Sequence, residues 1–101
     1  MSGYYKLVGH DAVPCVMEDW AETFTDTESR RVALTAIGGS EVSTVFLGLN
    51  HNHRGGPPLL FETMIFGGPL DQEQDRCGTW DEAVALHERM CQRVRSGETE
   101  P

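Results

Sequence analysis

The residues that most directly suggest chemistry are two histidines separated by one position, His51 and His53. Side chains two positions apart in an extended chain project to the same side. Such a pair can supply two imidazole ligands to zinc or another transition metal. Glu62, in the apolar run that follows, is a candidate third ligand, and the three together would suit a small metal-dependent hydrolase. The alternative is that both histidines are solvated or bond to the loop backbone, so that no metal or other cofactor is expected.

Both histidines lie in a loop, residues 50–58, that concentrates hydrogen-bonding groups and one cation. The glycine pair allows the backbone to approach a ligand closely and to offer N–H groups to an anion, although such pairs also serve as simple turns. Arg54 stands beside that pair and can hold an anion, and Arg76 is a weaker candidate. The candidate ligand- or partner-binding residues are Asn50, His51, Asn52, Arg54, Gly55, Gly56 and Glu62.

Two further titratable residues fall in apolar surroundings. Glu62 interrupts the run Leu59–Phe66, and a buried carboxylate is costly unless it is paired or hydrogen-bonded. We expect Glu62 to form an ion pair with Arg30, Arg31 or Arg54. The alternatives are a functional role for Glu62 and a position at an exposed edge of the sheet. His87 lies on the apolar stripe of the last predicted helix, where a hydrogen-bonded core or interface histidine is the usual explanation. An acid–base site shared with His51 and Glu62 is the alternative.

Residues 42–52, VSTVFLGLNHN, and residues 55–68, GGPPLLFETMIFGG, carry a resemblance. The pattern resembles a family of small hypothetical proteins of tailed bacteriophages and prophages, whose function is not established. The resemblance implies a phage-encoded protein acting in the cytoplasm of the bacterial host. Within this pattern His51 is expected to be typical of the family, whereas His53 looks like a departure.

Nucleophilic catalysis has little support in the sequence, which contains no GxSxG motif. The three cysteines are odd in number and lack CxxC spacing, which indicates reduced thiols rather than a disulfide framework or zinc ribbon; they are Cys15, Cys77 and Cys91. Cys15 could be activated by a helix N-terminus, but it has no assignable partner. A non-enzymatic protein is therefore favoured.

The chain has 101 residues and a formal net charge of −8. The length predicts one domain, residues 1–95, followed by a frayed tail, residues 96–101. The charge argues against direct binding to nucleic acid or to anionic membrane. Acidic residues cluster at 18–28 and 71–75. They form either a solubilising face or a surface that occupies a basic groove of a nucleic-acid-handling protein. No segment has the length of an apolar membrane span, and the N-terminus lacks the features of a signal peptide.

The hydrophobic pattern predicts the element order β-α-β-β-β-α. The predicted strands are residues 4–8, 31–37, 42–49 and 59–66, and the predicted helices are residues 17–24 and 80–95, with residues 71–78 as a loop. Thr79 and Glu82 match the capping box of the second helix. Its predicted inner stripe is Trp80, Ala83, Val84, His87, Met90, Cys91 and Val94.

Short connections favour an antiparallel sheet of about four strands packed against two amphipathic helices, a two-layer α+β fold. The uncovered sheet face also carries apolar residues, which favours a homo-oligomer.

Three functional hypotheses follow. The first is a non-enzymatic binding protein that counteracts a bacterial defence system. It would bind a defence protein, as an anti-CRISPR protein does, or sequester a small signalling nucleotide. The second is the metal-dependent hydrolase, and the third is a virion or DNA-packaging accessory protein. The first is favoured because the resemblance implies a phage setting and no catalytic motif is present.

Overall fold

Alternation of apolar and polar residues between positions 31 and 66 produces three adjacent strands of an antiparallel sheet. The computed structural model describes residues 3–50, 52 and 54–97. The elements are β1 (Tyr5–Val8), β2 (Asp11–Pro14), α1 (Met17–Phe24), α2 (Thr27–Arg30), β3 (Arg31–Ile37), β4 (Ser40–Phe46), β5 (Phe61–Phe66), β6 (Gln74–Cys77) and α3 (Trp80–Arg95). Strands β3 to β6 form a four-stranded antiparallel sheet in that order, and β1 pairs with β2 alone. The predicted α+β class and antiparallel sheet are confirmed.

Helix α3 packs across one face of the four-stranded sheet and closes the core. The inward positions of β4 and β5 have no solvent exposure; they are Val42, Thr44, Phe46, Phe61, Thr63 and Ile65. The helix buries Ala83, Leu86, His87, Met90 and Cys91 against them. The predicted stripe is wrong at Val84, which is 49% exposed. Leu86 is buried in its place because the helix presents that side to β4 and β5.

The start of α3 confirms the predicted capping box. The Thr79 hydroxyl accepts a hydrogen bond from the backbone N–H of Glu82 at 3.1 Å. In return, Oε1 of Glu82 accepts the Gly78 N–H at 3.3 Å. Two free backbone amides, that of Glu82 in the first helical turn and that of Gly78 before the N-cap, are thereby bonded, and the helix begins at Trp80.

The N-terminal hairpin and α1 form a second packing unit, which differs from the prediction. Strand β1 pairs with β2 rather than joining the larger sheet, and α1 packs against β1 instead of covering that sheet beside α3. The unit contacts the larger sheet through hairpin side chains that pack on its core and through Trp20, whose indole N–H donates to the Leu47 carbonyl at 3.2 Å. Met17, on the predicted apolar stripe of α1, is 53% exposed, and the side chain of Phe24 lies outside the described residues.

The fourth strand of the sheet comes from a segment predicted to be a loop. Strand β6 pairs antiparallel with β5, with Arg76 opposite Glu62 and Cys77 opposite Phe61. Its sequence, Gln-Asp-Arg-Cys, lacks the apolar alternation that identifies a half-buried strand. An edge strand has a neighbour on one side only, so it forms with less apolar burial than a central strand.

The face of the four-stranded sheet opposite α3 is open among the described residues. Register places Arg31, Val45, Glu62 and Arg76 in one row across this face, and Leu34, Ser43, Met64 and Gln74 in another. Leu34 and Phe66 on this face are 43% and 46% exposed. We call it the outer sheet face. Within the part of the chain that the structure describes, none of the helices combines the length and apolar character that crossing a bilayer requires.

Candidate functional site

The loop between β4 and β5 is closed at its base by backbone hydrogen bonds. The Leu47 N–H donates to the Leu60 carbonyl at 2.7 Å, and the Leu60 N–H donates to the Cys77 carbonyl at 2.9 Å. On the other side, the Tyr5 N–H donates to the Gly48 carbonyl at 2.7 Å. The N-terminal hairpin therefore holds the start of the loop, and strand β6 of the larger sheet holds its end.

Two of the predicted binding residues, Asn50 and Asn52, hold the loop in shape. Oδ1 of Asn50 accepts the backbone N–H of Asn52 at 2.8 Å and that of Leu59 at 3.2 Å. Oδ1 of Asn52 accepts the Arg54 N–H at 3.1 Å, and its Nδ2 donates to the Pro57 carbonyl at 2.8 Å. These side chains bond to the loop's own backbone, as asparagines often do in turns.

Gly55 and Gly56 meet a backbone requirement of this turn. Their φ values are +83° and +90°, a region that side-chain-bearing residues rarely adopt. Arg54, immediately before them, is exposed. The turn interpretation thus accounts for the glycine pair, and a ligand-binding role for Arg54, Gly55 and Gly56 stays a prediction.

Glu62 forms an ion pair on the outer sheet face, but its partner is not one of the three expected arginines. Nε of Arg76 lies 3.0 Å from Oε2 of Glu62, with the glutamate side chain 18% exposed and the arginine side chain 37% exposed. The β5–β6 register places the two residues directly opposite each other. The expected partners Arg30, Arg31 and Arg54 were wrong because the pairing depends on β6, which was predicted to be a loop.

The proposed metal ligands His51 and His53 lie outside the described residues. Among the residues that the structure does describe, no three His, Cys, Asp or Glu side chains are grouped to hold a metal ion. The H-x-H site therefore stays a prediction from sequence.

His87 is a buried, hydrogen-bonded histidine on the side of α3 that faces the sheet. Its Nε2 lies 2.9 Å from the Thr35 hydroxyl, and its Nδ1 lies 2.7 Å from the Thr44 hydroxyl. Thr44 is also hydrogen-bonded to the Thr63 hydroxyl, at 2.6 Å. Burial lowers the pKa of His87 from its ordinary value of 6.5. A neutral imidazole supplies one donor and one acceptor, which matches its two threonine partners.

Two open clefts flank the end of the loop. The first has a volume of about 460 Å³ and lies between the loop, β6 and α3; Asp75, Arg76, Cys77, Glu82 and Arg89 supply its polar groups, with Asn52 at one end. The second has a volume of about 350 Å³ and lies between the loop, the β1–β2 hairpin and the start of α3. Pro57, Pro58, Gly78 and Glu82 line both. We call the two prolines the proline ridge.

The second cleft is aromatic and acidic. His10 and Trp80 stack with ring centroids 3.9 Å apart and planes inclined by 6°. Tyr5, Asp11 and Glu82 complete its main side chains. Sequence analysis missed this cleft, because it arises where the hairpin, the loop and the helix start meet. Its one local sequence signal was the capping box, which places Glu82 beside Gly78.

The two partly exposed thiols are held protonated. Burial, reinforced by Glu82 and Asp75, raises the pKa of Cys77 to about 11. Burial and then Asp19 raise the pKa of Cys15, which contradicts the suggestion that a helix N-terminus activates it. Since the thiolate is the nucleophilic form, neither Cys15 nor Cys77 lies in surroundings that favour nucleophilic chemistry at neutral pH.

Comparison of the chain with protein-family models, with curated proteins and with solved structures finds no match.

Proposed function

We propose that this chain is a non-enzymatic binding protein made by a phage, which counteracts a bacterial defence system by binding a defence protein. The phage setting comes from the resemblance of residues 42–68 to small phage proteins. The binding function is supported by one structural observation, the proline ridge between two open clefts.

The proline ridge is suited to binding because it is already ordered. Asn50 and Asn52 hold the loop through four hydrogen bonds, and Asn52 bonds directly to the carbonyl of Pro57. Pro57 is exposed, and Pro58 is partly buried. A surface that is rigid before binding loses less conformational entropy when a partner docks, so more of the contact energy appears as affinity.

The charges in the first cleft favour a protein partner over a signalling nucleotide. Arg76 and Arg89 face this cleft, but so do Asp75 and Glu82. Arg76 is in addition paired with Glu62. A phosphate-bearing ligand needs a local excess of positive charge to offset its own charge and the net charge of −8. This cleft has no such excess, whereas a protein partner can match its mixed charges one by one.

The proposal is tested by plating a phage that is sensitive to a CRISPR effector on bacteria that carry this effector. We expect expression of the wild-type chain to restore plaques. Direct binding to the purified effector complex is then measured by calorimetry.

Replacement of the exposed ridge residue, Pro57→Ser, and of its neighbour, Arg54→Ala, should each weaken binding about tenfold. Arg95→Ala is the matched control, since Arg95 pairs with Glu88 near the far end of α3. Absence of plaque restoration and of binding across a panel of defence complexes would refute the proposed function. Equal binding by wild type and both loop variants would remove the ridge from it.

A further inference from the structure

Strand β6 has a hydrogen-bonding edge that no other strand in the described part of the chain covers. It is the last strand in the order β3-β4-β5-β6. The Ile65 N–H donates to the Glu73 carbonyl at 2.9 Å, and Thr63 lies opposite Asp75. In an antiparallel ladder, alternate residues face the neighbouring strand. The backbone groups of positions 73, 75 and 77 therefore point to β5, and those of Gln74 and Arg76 point away from the sheet.

A groove runs along this edge, between β6 and α3. It is made of two successive clefts, of about 460 Å³ and 370 Å³, that share Asp75, Leu86 and Arg89. On the helix side it extends from Glu82 to Arg93. These twelve residues of α-helix span about 17 Å, because the eleven steps between them each rise about 1.5 Å. That length accommodates about five residues of extended chain.

The groove combines apolar walls with one arginine that has no acidic partner among the described residues. Leu86 and Met90 line it and are each 4% exposed, so only their edges reach the groove. Arg76 and Arg93 form ion pairs with Glu62 and Glu73, both at 3.0 Å. Arg89, in contrast, has no carboxylate within 4.0 Å among residues 3–50, 52 and 54–97.

We propose that this groove binds an extended peptide segment of a partner protein by β-strand addition to β6. The segment's backbone pairs with Gln74 and Arg76, its apolar side chains pack against Leu86 and Met90, and one of its carboxylates pairs with Arg89. Main-chain pairing supplies affinity in this mode of recognition, and side-chain contacts supply specificity. The inference rests on the proposed function, and it names the chemistry of the partner segment.

Asp75 competes with the incoming strand for one backbone donor. Its Oδ1 accepts the Arg76 N–H at 2.8 Å. That N–H is one of the groups directed away from the sheet, so a peptide carbonyl must displace the carboxylate to reach it. Removing this carboxylate frees the donor and also removes a negative charge from the groove. The variant Asp75→Ala should therefore bind the segment more tightly than wild type.

The test selects a random heptapeptide library against the immobilised full-length chain. We expect enriched peptides with alternating apolar residues and Asp or Glu at one fixed position. The charge-reversal variant Arg89→Glu should instead enrich Lys or Arg at this position. Affinities of the selected acidic peptide are then measured by fluorescence polarisation, with about tenfold weakening expected for Arg89→Glu and about threefold tightening for Asp75→Ala. Hydrogen exchange of the Gln74 amide should slow when this peptide is bound.

The inference would be overturned by an absence of enrichment, by a consensus that Arg89→Glu leaves unchanged, or by a Gln74 amide that the peptide does not protect. If a higher protein concentration without peptide slows hydrogen exchange of the Gln74 amide, this edge pairs with a second copy of the chain. That result would also overturn the inference. Arg89 is exposed, so its substitution is compatible with folding, and Asp75→Ala gives an independent second variant. If Arg89→Glu retains full binding to the defence complex while Pro57→Ser loses it, the proposed function stands and the groove assignment fails.

Discussion

His87 shows how one buried side chain can connect three strands to a helix. Through Thr35, Thr44 and Thr63 its hydrogen bonds reach β3, β4 and β5. The residue is 6% exposed, so a lost partner is not replaced by bulk water. Leaving such a buried polar group unsatisfied costs about 1–3 kcal/mol. His87 and the three threonines therefore form one hydrogen-bonded polar cluster inside an otherwise apolar core.

The lowered pKa of His87 predicts a stability change with pH. Burial is the main cause, so the folded chain keeps the imidazole neutral below its ordinary pKa of 6.5, while the unfolded chain takes up a proton there. Acidification through pH 6.5 therefore favours unfolding, and this loss ends once pH falls below the folded pKa. The nearby charges oppose each other, Glu88 raising the pKa and Arg95 lowering it.

Urea denaturation at neutral and mildly acidic pH checks this expectation against His87→Gln, which cannot titrate. At neutral pH the variant should be less stable than wild type by about 1–3 kcal/mol. The difference in stability should narrow at acidic pH, because only in wild type does the unfolded chain take up a proton at this position that the folded chain excludes. A gap that is constant with pH would show that His87 contributes no pH dependence.

Residue-scale prediction from sequence succeeded where the cause is local. The capping pair Thr79 and Glu82 lies three positions apart, and it confirms the prediction. The partner of Glu62 depends on which strand lies beside β5, and strand pairing joins residues that are distant in sequence. The sequence indicates Arg76 as a possible anion-binding residue, but its pairing with Glu62 can be predicted only if β6 is known to be a strand beside β5.

At the scale of elements, Gly48 determines how closely the N-terminal unit packs on the larger sheet. Its φ is +73°, and a Cβ there would lie 2.6 Å from Cδ1 of Trp20 and 2.9 Å from the Tyr5 carbonyl. Only a glycine lets α1 and β1 approach the end of β4 this closely. The indole bond from Trp20 to Leu47 depends on the same approach.

Substitution of Gly48 by Ala should destabilise the protein by about 2–4 kcal/mol, since clash is added to backbone strain. The control is Gly9→Ala. Gly9 has a similar φ of +63°, but nothing lies within 4 Å of its Cβ position. That control should cost about 1 kcal/mol, from backbone strain alone. Thermal denaturation of the two variants checks the difference, and equal costs would mean that the close packing at Gly48 contributes nothing.

The loop also makes an element-scale prediction. Asn50→Ala removes both hydrogen bonds that Oδ1 makes to Asn52 and Leu59. We expect a stability loss of about 1–2 kcal/mol and faster hydrogen exchange of the Leu59 amide. Ser96→Ala, which removes one exposed bond at the end of α3, is the control. Unchanged exchange at Leu59 would show that Asn50 does not order the loop.

Elements with strong apolar periodicity were the ones that sequence predicted well. The hairpin of β3 and β4, strand β5 and helix α3 all lie within a few residues of their predicted bounds. Strand β6 was missed because its residues are mostly polar. The pairing of β1 with β2 was missed because nothing local distinguishes a separate two-stranded sheet from an extra strand of the larger one.

At the scale of the whole molecule, charge and apolar surface are unevenly distributed. The acidic residues 18–28 belong to α1, α2 and their connection, whereas three arginines line the groove between β6 and α3. The outer sheet face adds Leu34 and Phe66 as exposed apolar side chains. The candidate clefts could not be predicted, because each is formed by elements distant in sequence.

The exposed apolar side chains of the outer sheet face support the proposal that the chain self-associates there. We expect sedimentation velocity to give a concentration-dependent dimer that becomes monomeric in Phe66→Ser or Leu34→Ser. Val84→Ser, at a residue 49% exposed on α3, is the matched control and should leave the dimer intact. A wild-type chain that remains monomeric at high concentration would refute this proposal.

The stacked pair of His10 and Trp80 gives the molecule its own optical probe. The fluorescence of an indole depends on the groups in contact with it, and the centroids of the two rings lie 3.9 Å apart at the wall of the second cleft. Emission from Trp80 should therefore change with any molecule that separates the rings. The wild-type chain thus reports occupancy of that cleft without an attached label.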